Sequence, residues 1–233
     1  MSLLLVTQYE EWVELVADTL VVRGDDDVPA RYQQKVWPIP HLNMVMAATG
    51  TAEVASAWYA FVTQHPQVRD IDDIDSFATE TLRNIRADVA ERHGDAGSST
   101  LHHFGFPTGS DKAVSYIYSS MGGRNFESER FQGARFIAKP GPQTFAPDVP
   151  VGPEEKIAFA YRLRQEQEEL IAQGKPGTPF GGELQATLLE PGGIRTMTWH
   201  RFPDYDETLE TVPLPDVSLK HGNHREPHPA DHS

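Results

Sequence analysis

Three polar side chains near the amino terminus have the types and spacing that nucleophilic chemistry requires. Asp18 lies sixteen residues after Ser2, and Lys35 lies thirty-three residues after it. If Met1 is removed, Ser2 carries a hydroxyl nucleophile and a free α-amine, whose pKa of ~8 allows the amine to accept the hydroxyl proton. A neighbouring lysine would lower the pKa of that amine, and a carboxylate would orient the lysine. The combination predicts nucleophilic chemistry at a hydroxyl, whereas Asp18 alone is also typical of a turn or cap and Lys35 alone of a solvated surface group.

Short apolar runs in the first fifty residues must position these groups. Residues 3–7 and 12–17 read as two strands with a short polar connection, which predicts a β-hairpin that returns Asp18 to Ser2. Lys35 opens an extended segment, because a residue that precedes a proline is biased toward β geometry. Residues 43–48 form a continuous apolar run of strand length, which predicts a buried central strand.

The rest of the chain groups helices and strands instead of alternating them strictly. Three helices are predicted: one after Thr51 as N-cap, one that starts near Asp75 and ends at Gly94, and one over residues 153–173. Further strands are predicted over residues 100–106, 113–118, 134–138, 184–189 and 194–202. Residues 21–29 are predicted to form a loop, with a cation site at Asp25–Asp27 as the minor alternative. This order favours an α+β protein with antiparallel sheets.

Composition excludes several classes of partner. The chain has 233 residues and a formal net charge of -14, which argues against nucleic acid and against an anionic membrane surface. There are no cysteines, so disulfides, thiolate zinc sites and cysteine nucleophiles are excluded. No apolar run approaches the ~20 residues of a membrane span. The first apolar run is short and lacks a basic flank, so we expect no signal peptide and a cytoplasmic location.

Three early segments resemble the start of a proteasome-type β-subunit and of the related bacterial heat-shock peptidase subunit. They are residues 13–19, 34–36 and 46–54. In that family, an N-terminal threonine or serine is followed by an aspartate, a lysine and a glycine turn that opens the first helix. Ser2, Asp18 and Lys35 match by position, with one extra residue before the lysine. Gly50 matches the glycine whose backbone N–H serves the oxyanion hole.

The resemblance extends to residues 181–186 and 192–195, which are similar to the late double-glycine strand and the terminal hairpin of the family. It implies one N-terminal-nucleophile (Ntn) hydrolase domain over residues 1–203, built as a four-layer αββα sandwich of two antiparallel sheets. Residues 204–233 are acidic and then rich in histidine and proline, which predicts a disordered tail. The implied activity is that of an amidohydrolase or peptidase that acts on a peptide or a small amide. It needs no cofactor, and by analogy we expect a homo-oligomer such as a ring.

A catalytically inactive structural or assembly subunit with the same fold is the alternative. Family members usually supply an aspartate and a serine just before the late double glycine. Residues 174–180 contain no acid here, and Thr178 is their one hydroxyl. The serine that the family places near the middle strand is not evident in residues 137–141. Whether the chain is an enzyme therefore stays open at the level of sequence.

The histidines are the side chains most able to bind a metal in this cysteine-free sequence. His102 and His103 are adjacent on a predicted strand, so they point to opposite faces and do not easily line one site. Four tail histidines have spacings that could bind a metal on a helix, namely His221, His224, His228 and His232. Prolines between them oppose a helix, so we favour a solubilising tail and assign no metal site.

Overall fold

The computed structural model describes residues 3–23, 28–145 and 148–211. Within these ranges the strands form two five-stranded sheets and one two-stranded sheet, and every strand pair is antiparallel. The predicted α+β class is therefore confirmed. Among the described residues, no helix has the length and apolar character needed to cross a membrane.

The first five-stranded sheet contains the amino-terminal hairpin. Its strands are β1 (Leu4–Gln8), β2 (Val13–Asp18), β10 (Arg135–Lys139), β11 (Glu183–Glu190) and β12 (Gly193–Arg201), in the order β10-β1-β2-β11-β12. Leu4 pairs with Ala17, so the end of β2 returns to the start of β1, as the sequence predicts. The same sheet places β11 beside β2 along almost its whole length.

The second five-stranded sheet follows the order β5-β6-β7-β8-β9. Its strands are β5 (Val36–Ile39), β6 (Met44–Gly50), β7 (Ser99–Gly105), β8 (Val114–Ser119) and β9 (Ser128–Gln132). A short 3-10 turn, Pro40–Leu42, joins β5 to β6. The apolar run at residues 43–48 is thus an inner strand, as predicted. Strand β9 was not predicted, because its sequence is mostly polar and its side chains are mostly exposed.

Four helices are described: α1 (Ala52–Gln64), α2 (Ile71–His93), α3 (Pro153–Ala172) and α4 (Tyr205–Thr211). Helix α2 begins before the predicted start, because the Asp70 carboxylate accepts hydrogen bonds from two backbone N–H groups of the first turn. Thr51 occupies the N-cap position of α1 but makes no side-chain capping bond. Its hydroxyl instead donates to the carbonyl of Ala96, so the predicted N-cap position is confirmed, although the side chain bonds elsewhere.

Three described elements lie where the sequence predicts irregular chain. Strands β3 (Leu20–Arg23) and β4 (Val28–Tyr32) form a separate antiparallel hairpin. Residues 24–27, with the three consecutive aspartates and their alternative cation site, lie outside the described residues. Helix α4 falls within the segment predicted as a disordered tail. Residues 212–233, which hold the tail histidines, are also outside the described part of the chain.

Apolar side chains form three clusters that connect the sheets and helices. One cluster joins β6, β7 and β8 to α1 and α2 around the fully buried Trp58. A second joins the two five-stranded sheets, with Leu15 from β2 and Phe104 from β7. A third joins β1, β2 and β11 to α3 through Leu163. The residues that form these clusters are compatible with a sandwich of two sheets.

Candidate functional site

Asp18 lies at the end of β2, beside the start of the chain. Its side chain is fully buried, and its Oδ1 accepts a hydrogen bond of 2.9 Å from the backbone N–H of Leu3. Its Oδ2 accepts one of 3.1 Å from the backbone N–H of Gly181. Ser2 itself lies outside the described residues. Because Leu3 directly follows Ser2 in the chain, Asp18 holds the amide next to the predicted nucleophile.

Lys35 meets Asp18 from the second sheet. Its Nζ donates to Asp18 Oδ1 at 2.7 Å and also donates to the carbonyl oxygen of Leu20. Only 7% of Lys35 is exposed, so the ion pair is shielded from solvent. The pair joins the start of β1, the end of β2, the start of β5 and the turn before β11. Two of the residues predicted from sequence are thus brought into direct contact.

Burial acts on both charges of this pair. Loss of solvent lowers the pKa of Lys35 below its ordinary value of 10.5, and the charge of Asp18 opposes that shift. Burial likewise raises the pKa of Asp18 above its ordinary value, against the charge of Lys35 and the backbone donors. A lysine with a lowered pKa releases its proton more readily than a surface lysine. Perturbed groups of this kind are frequent at functional sites.

The double glycine before β11 packs directly against this pair. The Gly181 carbonyl accepts hydrogen bonds from the backbone N–H groups of Thr19, at 3.3 Å, and Leu20, at 3.1 Å. Gly182 has a φ of +79°, and a Cβ at this position would lie 2.5 Å from Thr19 Oγ1 and 2.6 Å from the ring of Tyr32. Glycine is therefore required here for backbone conformation and for space.

Gly50 ends β6 at the same end of the second sheet as Lys35. Val36, which follows Lys35, pairs with Ala47, so the start of β5 is level with the last residues of β6. Gly50 has a φ of +98°, and a Cβ here would lie 2.0 Å from the Ser98 carbonyl oxygen. A side chain is excluded at this position. Because Ser2 lies outside the described residues, the distance between Gly50 and Ser2 is not defined.

Thr178 and the two strand histidines have partners other than the Asp18–Lys35 pair. Thr178 is buried, and its backbone N–H donates to the side-chain oxygen of Gln167 at 2.9 Å. His103 accepts a hydrogen bond of 2.8 Å from the Trp58 indole, on the helical side of β7. His102 stacks near Phe104, a member of the cluster between the sheets. The two histidines therefore do point to opposite faces. In the described part of the chain, no group of three or more histidines, cysteines or acids could hold a metal.

Burial keeps both strand histidines neutral. It lowers the pKa of His102 to about 3, with help from the charges of Lys139 and Arg135. It lowers the pKa of His103 to about 3 as well, with a smaller contribution from His102. Neutral, buried rings of this kind fill the interior on the two faces of β7.

Sequence reasoning missed the backbone groups of the site. The N–H groups of Leu3 and Gly181 and the carbonyl of Leu20 complete the surroundings of the ion pair. Side-chain patterns carry no signal for such groups, because every residue type supplies them. The double glycine was the one available clue, and the sequence connects it to the site only through the family resemblance.

No protein-family model matches the chain, and no curated protein matches it. Solved structures do match. The chain is similar to a Gly-1 mutant of Anbu from Hyphomicrobium sp. strain MC1, with a TM-score of 0.53 and 12% sequence identity. The match covers 91% of this chain and 92% of that one. At this identity the likeness concerns the fold alone, and it supports a distant proteasome-like fold.

Proposed function

We propose that this chain is an N-terminal-nucleophile amidohydrolase or peptidase that acts through a serine acyl-enzyme. The observation that carries the proposal is the buried Asp18–Lys35 pair, which is bonded to the amide of the residue that follows Ser2. A lysine of lowered pKa is held where the start of the chain enters the first sheet. The proteasome-like fold supports the same assignment.

The proposed reaction begins once Met1 is removed. The Ser2 hydroxyl attacks the carbonyl carbon of the amide while the Ser2 α-amine takes up the hydroxyl proton. Lys35 lowers the pKa of that amine by its charge, and Asp18 orients Lys35. The backbone N–H of Gly50 donates to the oxyanion of the tetrahedral intermediate. The amine then protonates the leaving nitrogen, and water hydrolyses the ester at Ser2.

The architecture that we propose around this site is the four-layer αββα sandwich. Three apolar clusters support it, because α1 and α2 pack on one sheet, α3 packs on the other, and the sheets pack on each other. A homo-oligomer in the cytoplasm, with a peptide or a small amide as substrate, completes the proposal. A metal or cofactor has no role in it.

A catalytically inactive structural subunit is the second candidate. The observation that favours it is that Asp18 and Lys35 each bond to backbone groups of the fold, at Gly181 and Leu20 respectively. An ion pair with these partners could serve to join chain segments without any reaction. The stretch before the double glycine also contains no acid that could support an α-amine.

Intact-mass analysis combined with a β-lactone probe separates these candidates. We expect the mass to show removal of Met1, and the probe to add one acyl group that peptide mapping places on Ser2. The Ser2→Ala variant, shown to be folded by its melting curve, should remain unlabelled. Complete retention of Met1 would eliminate the α-amine mechanism. A correctly processed protein that takes up no probe would favour the structural subunit.

A further inference from the structure

The β3–β4 hairpin contacts Lys35 through Leu20, and α4 packs on β4; neither element belongs to the predicted catalytic set. We infer that Tyr205 of α4, acting through Tyr32 of β4, is a positioning residue that holds the hydrogen-bond acceptors of Lys35 in place. The catalytic consequence of this role rests on the proposed function. The role itself concerns only how the acceptors of Lys35 are held, so it can be tested without measuring a reaction.

The first contact joins α4 to the hairpin. The rings of Tyr205 and Tyr32 lie 4.8 Å apart between their centroids, in a tilted arrangement. The Tyr32 hydroxyl donates to the backbone carbonyl of Tyr205 at 3.4 Å. Tyr205 therefore fixes the ring of Tyr32 through its own ring and through its backbone.

The second contact joins Tyr32 to the surroundings of the ion pair. Tyr32 pairs directly with Leu20 across the hairpin, and the Leu20 carbonyl accepts a hydrogen bond from Lys35. On its other side, the Tyr32 ring lies so close to Gly182 that a Cβ there would come within 2.6 Å of it. A displacement of Tyr32 would move the Leu20 carbonyl and loosen the turn that bonds to Asp18.

Helix α4 is itself held against the body of the protein. Asp204, just before the helix, accepts two hydrogen bonds from the guanidinium of Arg164 on α3, at 2.8 and 2.7 Å. The guanidinium of Arg201 lies 4.9 Å from the centre of the Tyr205 ring. These contacts attach the start of α4 to α3 and to β12, so Tyr205 has a fixed position beside Tyr32.

Chemical labelling of lysines by acetic anhydride tests this inference, because Lys35 is buried and its amine is shielded. The Tyr205→Ala variant should raise the acetylation rate of Lys35 about tenfold, since a ring contact and the apolar area behind it are lost. In the Tyr205→Phe variant, Lys35 should be acetylated at the wild-type rate, because the variant retains the ring and the backbone carbonyl of residue 205. Peptide mass spectrometry at fixed pH measures each lysine separately.

Two controls are built into the chain. Lys156, on α3, is also buried, with 3% exposed, and reports any general loosening in the same sample. Tyr9→Ala removes a similar ring contact, at 4.7 Å from Trp12, at the opposite end of the β1–β2 hairpin from Asp18. We expect Lys156 to stay protected in every variant, and Lys35 to stay protected in Tyr9→Ala.

Three outcomes would overturn the inference. Lys35 could remain as protected in Tyr205→Ala as in the wild type, Lys35 and Lys156 could become reactive together, or Tyr9→Ala could expose Lys35 to the same extent. None of these results depends on the probe that tests Ser2. A failure of the positioning role is therefore distinguishable from a failure of the proposed reaction.

Discussion

Strand β2 carries two lysine–carboxylate pairs, four residues apart, and they differ in how far they are buried and in what surrounds them. Glu14 pairs with Lys156 of α3, and Asp18 pairs with Lys35 at the start of β5. The Glu14 side chain is 17% exposed, whereas the Asp18 side chain is fully buried. The first pair bridges a helix and a strand, at a position where water still reaches the carboxylate.

The second pair has additional partners from the backbone. Asp18 accepts hydrogen bonds from Leu3 and Gly181, and Lys35 donates to Leu20. A lysine–carboxylate pair occurs twice on β2, so the ion pair does not by itself distinguish the candidate site. The distinctive feature is that backbone groups surround the Asp18–Lys35 pair, one of them the N–H of the residue that follows Ser2.

Replacing each lysine by methionine should lower the free energy of unfolding by different amounts for the two pairs. Lys35→Met leaves the Asp18 charge buried without its cation and should lower the free energy of unfolding by about 3–5 kcal/mol. Lys156→Met should lower it by about 1–2 kcal/mol, because water can still solvate Glu14. Urea unfolding followed by circular dichroism measures both. Equal losses, or a larger loss for Lys156→Met, would remove the distinction between the pairs.

The double glycine beside the end of β2 gives a second, smaller expected effect. Gly182→Ala should cost about 2–4 kcal/mol, because its Cβ would collide with Thr19 and Tyr32 and its φ is positive. Gly174→Ala is the matched control, since its φ is +67° and nothing lies within 4 Å of an added Cβ. We expect about 1 kcal/mol there, from the backbone alone. Thermal melts with similar shifts for both variants would show that the packing at Gly182 is loose.

The pH dependence of stability should carry the signature of Lys35. Burial lowers the pKa of Lys35 from 10.5, so between its folded-state pKa and 10.5 the unfolded chain binds more protons. The free energy of unfolding should therefore rise with pH in this window, by at most about 1.4 kcal/mol per pH unit, and fall as pH drops through the folded-state pKa. Lys35→Met should lack this slope.

A nuclear magnetic resonance titration of the lysine side chains checks the same point directly. The resonance that disappears in Lys35→Met should titrate below 10.5. A Lys35 amine that titrates above 10.5 would mean that the attraction of Asp18 outweighs burial, and the sign of the predicted slope would reverse.

Much of the fold could be predicted from the sequence, because its signals are local. The hairpin that returns Asp18 to the start of the chain follows from two apolar runs and a polar turn, and the central strand β6 follows from one continuous apolar run. Strand β3 was missed because Gly24 and the three aspartates that follow it indicate a loop. Strands β4 and β9 were missed because their charged and polar residues do not alternate clearly with apolar ones. Helix α4 was missed because the acidic composition after Pro203 favours disorder.

The candidate site could be predicted only in its side chains. Asp18 and Lys35 meet as expected, because the hairpin and the following extended segment bring them together. The roles of the Leu20 carbonyl and of Tyr32 could not be foreseen, since they depend on a hairpin that the sequence indicates as a loop. Ser2 and the tail histidines lie outside the described residues, so their placement stays a prediction.

The rate at which a β-lactone acylates Ser2, compared between the two methionine variants, tests the central claim most directly. Each variant is measured under conditions where circular dichroism shows that it is folded. The account predicts that Lys156→Met reacts at the wild-type rate. Lys35→Met should lose at least about a hundredfold in rate, because the α-amine that takes up the hydroxyl proton no longer has the charge that lowers its pKa. Folded Lys35→Met protein that acylates Ser2 at the wild-type rate would contradict the account.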